Sequence, residues 1–247
     1  MKSAIVTGAA RGIGLATTKR LLSMGWRVAM VDYDEAELSN VSKSLDDVRT
    51  FGTDISDPAQ ITALATALAD WEGIDGLVNN AGLARFGPMD QMDHTTWRAV
   101  MATNLDGAFL MTQAFVPALK KARGAVVNIT SISGLRASTL RVAYGTSKAA
   151  LAHLTQQQAV ELGEHGIRVN AVAPGPVRTK LAMAVHTPEI IAAYHDAIPL
   201  NRYGTEDELA RPIAFLLSEE ASYITGQVLA VDGGFEATGI GLPALRG

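Results

Sequence analysis

An apolar run, Ala4-Ile5-Val6, stops at Thr7-Gly8-Ala9-Ala10-Arg11-Gly12-Ile13-Gly14, and a helical hydrophobic period begins at once and lasts over residues 13–24. No other stretch constrains the fold as strongly. Strand, glycine turn and helix in that order aim free backbone N–H groups and the positive end of a helix at one point, an arrangement suited to a phosphate. Gly8 permits the tight turn, Gly12 lets backbone approach a pyrophosphate closely, and Gly14 lets the helix pack near the strand. A glycine pattern alone is a weak sign, because glycine turns join strands to helices in many folds. Its position between this strand and this helix is what gives it weight.

The same unit then recurs. Residues 26–31, 48–52, 76–78, 125–129, 168–172 and 227–231 read as further strands, and helical patterns cover residues 59–70, 95–121, the region of Tyr144 and Lys148, and 206–217. Asp57 before Pro58 has the form of a helix N-cap, and Pro117 predicts a kink or an early loosening of its helix. Strands alternate with helices from end to end without a long linker, repeat or low-complexity run. The pattern predicts one α/β domain over residues 1–247, a doubly wound, mostly parallel seven-stranded sheet with helices on both faces. Its crevice should run across the carboxyl ends of the strands.

Composition narrows the function classes. The chain has 247 residues, 48% of them hydrophobic, and no cysteine, so disulfides, thiol nucleophiles and zinc-thiolate sites are excluded. A net charge of -4 without clustered Lys and Arg argues against nucleic acid and anionic membranes as partners. No run approaches the ~18 apolar residues of a membrane span, and the first apolar run is too short for a secretory signal. A soluble cytoplasmic protein without a metal centre is the expectation.

Polar residues gather at the predicted strand ends. Asp32, roughly 20 residues beyond the glycine loop, can accept both hydroxyls of an adenosine ribose and would repel a 2′-phosphate. It favours NAD over NADP. Arg11 pulls the other way, since a guanidinium in the loop suits a 2′-phosphate; Asp32, against the ribose itself, should dominate. Asp54, with Ile55 beside it, is placed to meet the adenine. Asn79-Asn80-Ala81-Gly82 puts amides at the sheet's carboxyl edge, and Asn104 inside a helix is either solvated or has work to do. Tyr144 and Lys148, four residues apart, share a helix face. There an ammonium would pull the phenol below its usual value of about 10 and make Tyr144 a general acid or base. Alone, such a pair reads more readily as an ordinary exposed helix, and its company is what shifts the balance.

Taken together, these stretches closely resemble the short-chain dehydrogenase/reductase family over nearly the whole chain. Thr7 to Gly14 matches its T-G-x-x-x-G-x-G loop, Asn79-Asn80-Ala81-Gly82 its N-N-A-G turn, Tyr144 with Lys148 its Y-x-x-x-K pair, and Pro174-Gly175 its P-G turn. Ser131 stands at the family's serine distance before the tyrosine, and Asn104 matches its helix asparagine. The resemblance implies a Rossmann-like fold and a nicotinamide cofactor. Tyr144 would exchange a proton with the substrate oxygen, Ser131 would donate a hydrogen bond to it, and Lys148 would lower the Tyr144 pKa and hold the nicotinamide ribose. Asn104 would hold a water on the proton's way to solvent. Gly8, Arg11, Gly12, Ile13, Gly14, Asp32, Asp54, Ile55, Asn80, Ala81, Gly82, Pro174, Gly175, Val177 and Thr179 would line the cofactor.

Substrate identity is less constrained. Residues 178–204 correspond to the family's substrate lid and carry Met183, His186, Tyr194 and His195. Ser133, Arg141 and His186 are the candidate substrate residues. Arg141, one turn before Tyr144, points into the pocket toward a substrate carboxylate or stands solvated at a helix start. Ala84 and Ser133 lie where hydroxy-acid enzymes of the family carry longer polar side chains, so a polyol, sugar alcohol or other secondary alcohol fits equally. An NADPH-dependent 3-oxoacyl reductase and a non-catalytic nicotinamide-binding scaffold are the alternatives. The resemblance also implies a homo-oligomer, a tetramer or a dimer, packed through the helices around 95–121 and 144–163. Phe109, Phe115, Leu151 and Leu154 are candidates for that interface or for the core, and the tail 235–247 would cover a neighbour's pocket or hang loose.

Overall fold

The structure is a computed structural model, and it describes residues 1–179, 183 and 186–238. The part of the tail from 239 onward, and Leu181 within the lid, lie outside that description. The strands are β1 (Ser3–Thr7), β2 (Arg27–Asp32), β3 (Val48–Gly52), β4 (Gly76–Asn79), β5 (Ala125–Ile129), β6 (Arg168–Pro174) and β7 (Val228–Val231). They form one seven-stranded sheet in the order β3-β2-β1-β4-β5-β6-β7. Every pairing among them is parallel. The order reverses between β1 and β4, so the loops after these two strands diverge and leave a crevice at their carboxyl ends.

Side chains of successive strand residues alternate between the two faces. Ala4, Val6, Val28 and Met30 pack with Leu21 of α1 (Gly12–Ser23), Leu38 of α2 (Glu35–Ser42), and Leu209 and Ile213 of the C-terminal helix Glu206–Leu217. Ile5, Ala29 and Val31 turn the other way. They meet Ile61 and Leu64 of α3 (Pro58–Ala67), Met111 and Phe115 of α5 (Gly107–Ala122), and Ala159 of α7 (Val142–Gly163). Most of these side chains are fully buried. At roughly 1.5–3 kcal/mol for each large aliphatic chain, the two layers supply the main drive to fold.

Several elements differ from the expectation in instructive ways. The helix predicted over 95–121 is α4 (His94–Met101), a π-helical turn (Ala102–Asp106) and α5 in one continuous rod, which runs through Pro117 to Ala122. Asn104 sits in the π turn. The third helix begins as predicted, with the Asp57 carboxylate capping Ala59 N–H, but ends at Ala67. A helix α2 follows β2, capped by Asp34, and a single turn α6 (Ile132–Leu135) follows Ser131. The lid contains α8 (Pro188–Ala197) with Thr187 as its cap, and α9 (Glu206–Leu217) opens on a capping box of Thr205 and Glu208. Of the proposed interface residues, Phe115 and Leu151 turn into the core while Phe109 is exposed. No helix among the described residues is long and apolar enough to cross a membrane.

Candidate active site

The glycine loop follows β1 directly. Gly8 has φ +65 and Gly12 φ +59, and a Cβ on Gly14 would lie 2.1 Å from the Gly8 carbonyl oxygen, so α1 starts pressed against the loop. Thr7, at the end of β1, and Asn80, just past β4, hold it there. Asn80 Nδ2 donates to the carbonyls of Thr7 (2.9 Å) and Gly8 (3.1 Å), and Thr7 Oγ1 accepts from the Asn80 and Ala81 N–H groups. The opening of α1 has no side-chain cap and no acidic residue in its own first turn, which leaves its N–H groups without a capping side chain. Such a cradle fits a pyrophosphate.

Asp32, at the end of β2, is buried with both carboxylate oxygens engaged. Oδ2 accepts from Ala10 N–H at 3.0 Å and Oδ1 from Asp34 N–H at 3.1 Å, which fixes the carboxylate beside the loop. Arg11 does not stand free for a 2′-phosphate. Its guanidinium pairs with Asp34, whose carboxylate is held below the usual range by the Glu37 N–H and then by Arg11. Asp54 lies exposed at the next strand end, its Oδ1 taken by Ser56, and Ile55 is buried where Gly107 approaches it closely. The residues present therefore fit a dinucleotide. A bridge from Val177 to Gly204 and the Gly175 N–H bond to the Val231 carbonyl fix the turn after β6; a Cβ on Gly175 would collide with Asp232. The Thr179 N–H closes the same turn onto the Val177 carbonyl.

The catalytic candidates meet on the far side of that crevice. Ser131 follows β5 and caps α6, its Oγ accepting from Ser133 N–H at 3.1 Å. Gly134, where a Cβ would sit 2.6 Å from the Lys148 carbonyl carbon, lets this turn lie directly on the α7 backbone. Ser131 thereby comes near enough to the Tyr144 phenol to lower its pKa. Lys148 is buried, donates from Nζ to the Ile129 carbonyl at 2.7 Å, and stands 5.9 Å from the Tyr144 ring centroid. Asn104 Nδ2 donates to Ser147 Oγ at 2.9 Å, which donates to the Tyr144 carbonyl at 2.7 Å. The rest of that amide closes a two-way bridge to Leu83. Both Asn104 Oδ1 and Lys148 Nζ come within 3.4 Å of where a Gly82 Cβ would stand.

One electrostatic expectation is corrected. Burial is the largest influence on the Tyr144 phenol and raises its pKa; the Ser131 hydrogen bond and the Arg141 charge act against it without overcoming it. Lys148 is itself pushed down to about 8 by burial. Its ammonium is directed at a backbone carbonyl, and the charge that lowers the phenol's value is that of Arg141.

Of the substrate candidates, Ser133 is buried at the α6–α7 contact, with its carbonyl 2.9 Å from where a Gly145 Cβ would stand. Arg141 and His186 come together through Tyr194: Arg141 Nη2 donates to Tyr194 Oη at 3.2 Å, and the His186 ring stacks on Tyr194 with centroids 5.5 Å apart. Sequence reasoning missed Thr7 and Ser147, which position the loop and the tyrosine, and Phe86, whose ring meets Tyr144 edge-on at 6.0 Å. Ser147 lay inside the motif, three residues after Tyr144, and that spacing was its only signal.

The fold and this site define a nicotinamide-dependent oxidoreductase. The chain belongs to the short-chain dehydrogenase/reductase family: the family model described as "Enoyl-(Acyl carrier protein) reductase" matches residues 8–236. It is 37% identical over 243 residues to 2-(S)-hydroxypropyl-CoM dehydrogenase 3 of Xanthobacter autotrophicus, covering 94% of this chain and 95% of the relative. It is also 37% identical over 238 residues to galactitol 2-dehydrogenase (L-tagatose-forming) of Cereibacter sphaeroides, with 94% of each covered. Among solved structures, 4-hydroxyisoleucine dehydrogenase complexed with NADH superposes with a TM-score of 0.91 at 30% identity, over 97% of this chain and 100% of that one.

Proposed function

We propose that this protein is an NAD-dependent dehydrogenase that interconverts a secondary alcohol and its ketone, with Tyr144 as general acid and base. The observation that carries it is the convergence of Ser131, Tyr144 and Lys148 on one crevice edge opposite a glycine loop and a fixed Asp32 carboxylate. Asp32 would take the adenosine ribose hydroxyls, the loop and α1 the pyrophosphate, and Lys148 the second ribose. A bound nicotinamide supplies or removes the hydride. The chain's own part is to hold the substrate oxygen and move its proton. Ser131 orients that oxygen, and Tyr144 Oη takes the proton in oxidation and returns it in reduction. Asn104 and Lys148, both facing Gly82, offer the proton a way out through water. Asn104 also fixes the Tyr144 backbone through Ser147, so loss of its amide should misplace the phenol as well.

NAD is favoured over NADP for two reasons: the Asp32 carboxylate, fixed beside the loop, would repel a 2′-phosphate, and Asp34 engages Arg11. The named relatives act on substrates as different as a polyol and an amino acid, so they support the reaction class and leave the substrate open. Exposed Phe109 on α5 and Val160 on α7 are the contacts through which copies would assemble into a tetramer. The direct test is a screen of NAD and NADP reduction across polyols, sugar alcohols, hydroxy acids and plain secondary alcohols. Turnover with NAD that is lost in Tyr144→Phe is expected. Faster turnover with NADP would favour the 3-oxoacyl reductase reading, and no turnover with any class would favour the scaffold.

A further inference from the structure

We propose that Glu206 sets the affinity for the dinucleotide: its carboxylate faces the glycine loop as a like charge to the pyrophosphate, weakening binding and favouring release of the spent cofactor. The inference rests on the dehydrogenase reading and adds to that crevice a residue that acts against its ligand.

The carboxylate is put in place by backbone and by a cap. Helices α1 and α9 share one face of the sheet, where Leu21 packs with Leu209 and Ile213. Gly204, just before α9, donates to the Pro176 carbonyl at 3.0 Å and accepts from Arg178 N–H at 2.9 Å, which seats the start of the helix against the turn after β6. The capping box fixes the first turn: Thr205 N–H donates to Glu208 Oε2 at 2.8 Å, and Glu208 N–H to Thr205 Oγ1 at 3.3 Å. Glu206 is the first residue of that turn, and its Oε1 lies 3.8 Å from where a Cβ on Gly12 would stand. Gly12 is the glycine whose bare backbone lets a pyrophosphate approach.

Three acids open α9, and two of them have cations of their own. Asp207 pairs with Arg211 and Glu208 with Arg202. Glu206, half-buried, has no ion pair or hydrogen bond among the described residues. An acid in a first helical turn is ordinarily favoured by the helix dipole. Here burial raises the pKa instead, and the Lys19 charge on α1 acts against it without overcoming it. Arg11, next to Gly12, is turned to Asp34; Arg178 meets this segment through its backbone, and Lys180 lies outside the described residues. A pyrophosphate dianion brought to the loop therefore meets a carboxylate that has lost part of its water and shares its charge with no described partner. The N–H groups of α1 attract the phosphates while Glu206 opposes them. Spent cofactor has to leave in every turnover, and product release limits many enzymes, so the opposition has a use.

The test measures NADH binding to full-length wild type and Glu206→Gln by fluorescence titration, with no substrate present. Glutamine keeps the shape and removes the charge, so Kd at pH 8 is expected to fall about 3- to 20-fold, the size of a like-charge contact a few ångströms apart in a medium close to water. The difference should shrink in high salt and toward pH 5, where the wild-type carboxylate takes up a proton. Adenosine, which lacks the pyrophosphate, should displace NADH-free sites alike in both proteins, an equality that a merely structural change would break. Wild type alone supplies a second measurement, whatever the stability of the variant. Calorimetry of NAD binding at about pH 5.5, in buffers of different ionisation enthalpy, should show net proton uptake, and Glu206→Gln should lose it. Equal NADH affinities at pH 8, a matching change with adenosine, or no proton uptake by wild type each overturns the role of Glu206 and leaves the dehydrogenase reading standing. A wild type that binds neither NADH nor NADPH overturns that reading and this inference with it.

Discussion

The Tyr144 hydroxyl is subject to two opposed influences, and burial wins over the Ser131 hydrogen bond and the Arg141 charge. Oxidation needs the phenolate and reduction the phenol. The alcohol-oxidation kcat/KM is therefore expected to climb with pH through the alkaline range, while ketone reduction does not climb with it. Profiles measured in both directions check this, and an oxidation rate flat above neutrality would contradict it. Tyr144→Phe should keep NADH affinity, read by fluorescence titration, while kcat falls by about 10²–10⁴. Asp34 makes a different prediction. Its carboxylate holds Arg11 and also caps α2 by accepting from Glu37 N–H at 3.1 Å. Asn caps a helix about as well as Asp does, so Asp34→Asn should keep α2 and release the guanidinium. The ratio of kcat/KM with NADP to that with NAD should then rise, about tenfold for 1.4 kcal/mol of new phosphate contact. An unchanged ratio would mean that Arg11 has no reach to that phosphate.

Among elements, the β1–loop–α1 unit is fixed by contact as much as by conformation. With Gly14 Cβ placed 2.1 Å from a backbone carbonyl and 2.6 Å from Asn80 Nδ2, Gly14→Ala has to lift α1 off the loop. A cost of roughly 1–3 kcal/mol is expected, seen as a lower urea midpoint, together with weaker NADH binding. This unit was legible from sequence because a strand, three glycines and an amphipathic helix each leave a signal in residue type. So did the strand ends at Asp32 and Ser131 and the Tyr144–Lys148 pair on α7. The elements that escaped have physical reasons. Helix α2 buries only Leu38, so its residues show no apolar stripe, and its one signal was the Asp34 cap. Helix α8 buries no residue and reads as loop from composition, although Thr187-Pro188 is a start signal. The π turn at Asn104 has no residue signature at all. Nor had the buried amide chain in which Asn79 Nδ2 donates to Asn128 Oδ1 at 2.8 Å and Asn128 Nδ2 to Thr155 and Gln158, tying β4 and β5 to α7. Asn79 looks like a turn residue, and Asn128 like any other strand residue, until the sheet register sets them opposite each other.

Over the whole molecule, the site costs the fold stability, and Lys148 shows how. An ordinary lysine titrates near 10.5; this one, buried against the Ile129 carbonyl with no carboxylate to balance it, titrates at about 8. Below that value the folded and unfolded chains both carry the proton, and the full penalty for a buried ammonium, roughly 3 kcal/mol, acts against folding. Between about 8 and 10.5 the unfolded chain holds more protons than the folded one, so this group's contribution to stability increases with pH. Tyr144, raised above its ordinary 10, acts in the opposite sense, favouring the fold below that pH and losing the effect above it. The free protein should thus gain stability from near neutrality to about pH 9.5, apart from the chain's other titrations. Lys148→Met isolates the term: at pH 7 it should be more stable than wild type by about 1–3 kcal/mol, the loss of a donor to Ile129 offsetting part of the gain. At pH 9.5 the two should converge, and at both values the variant should be nearly inactive. Urea denaturation of both proteins at the two pH values measures this directly. A variant no more stable than wild type at pH 7 would mean that the buried ammonium is compensated within the fold and that the catalytic lysine is not a source of instability.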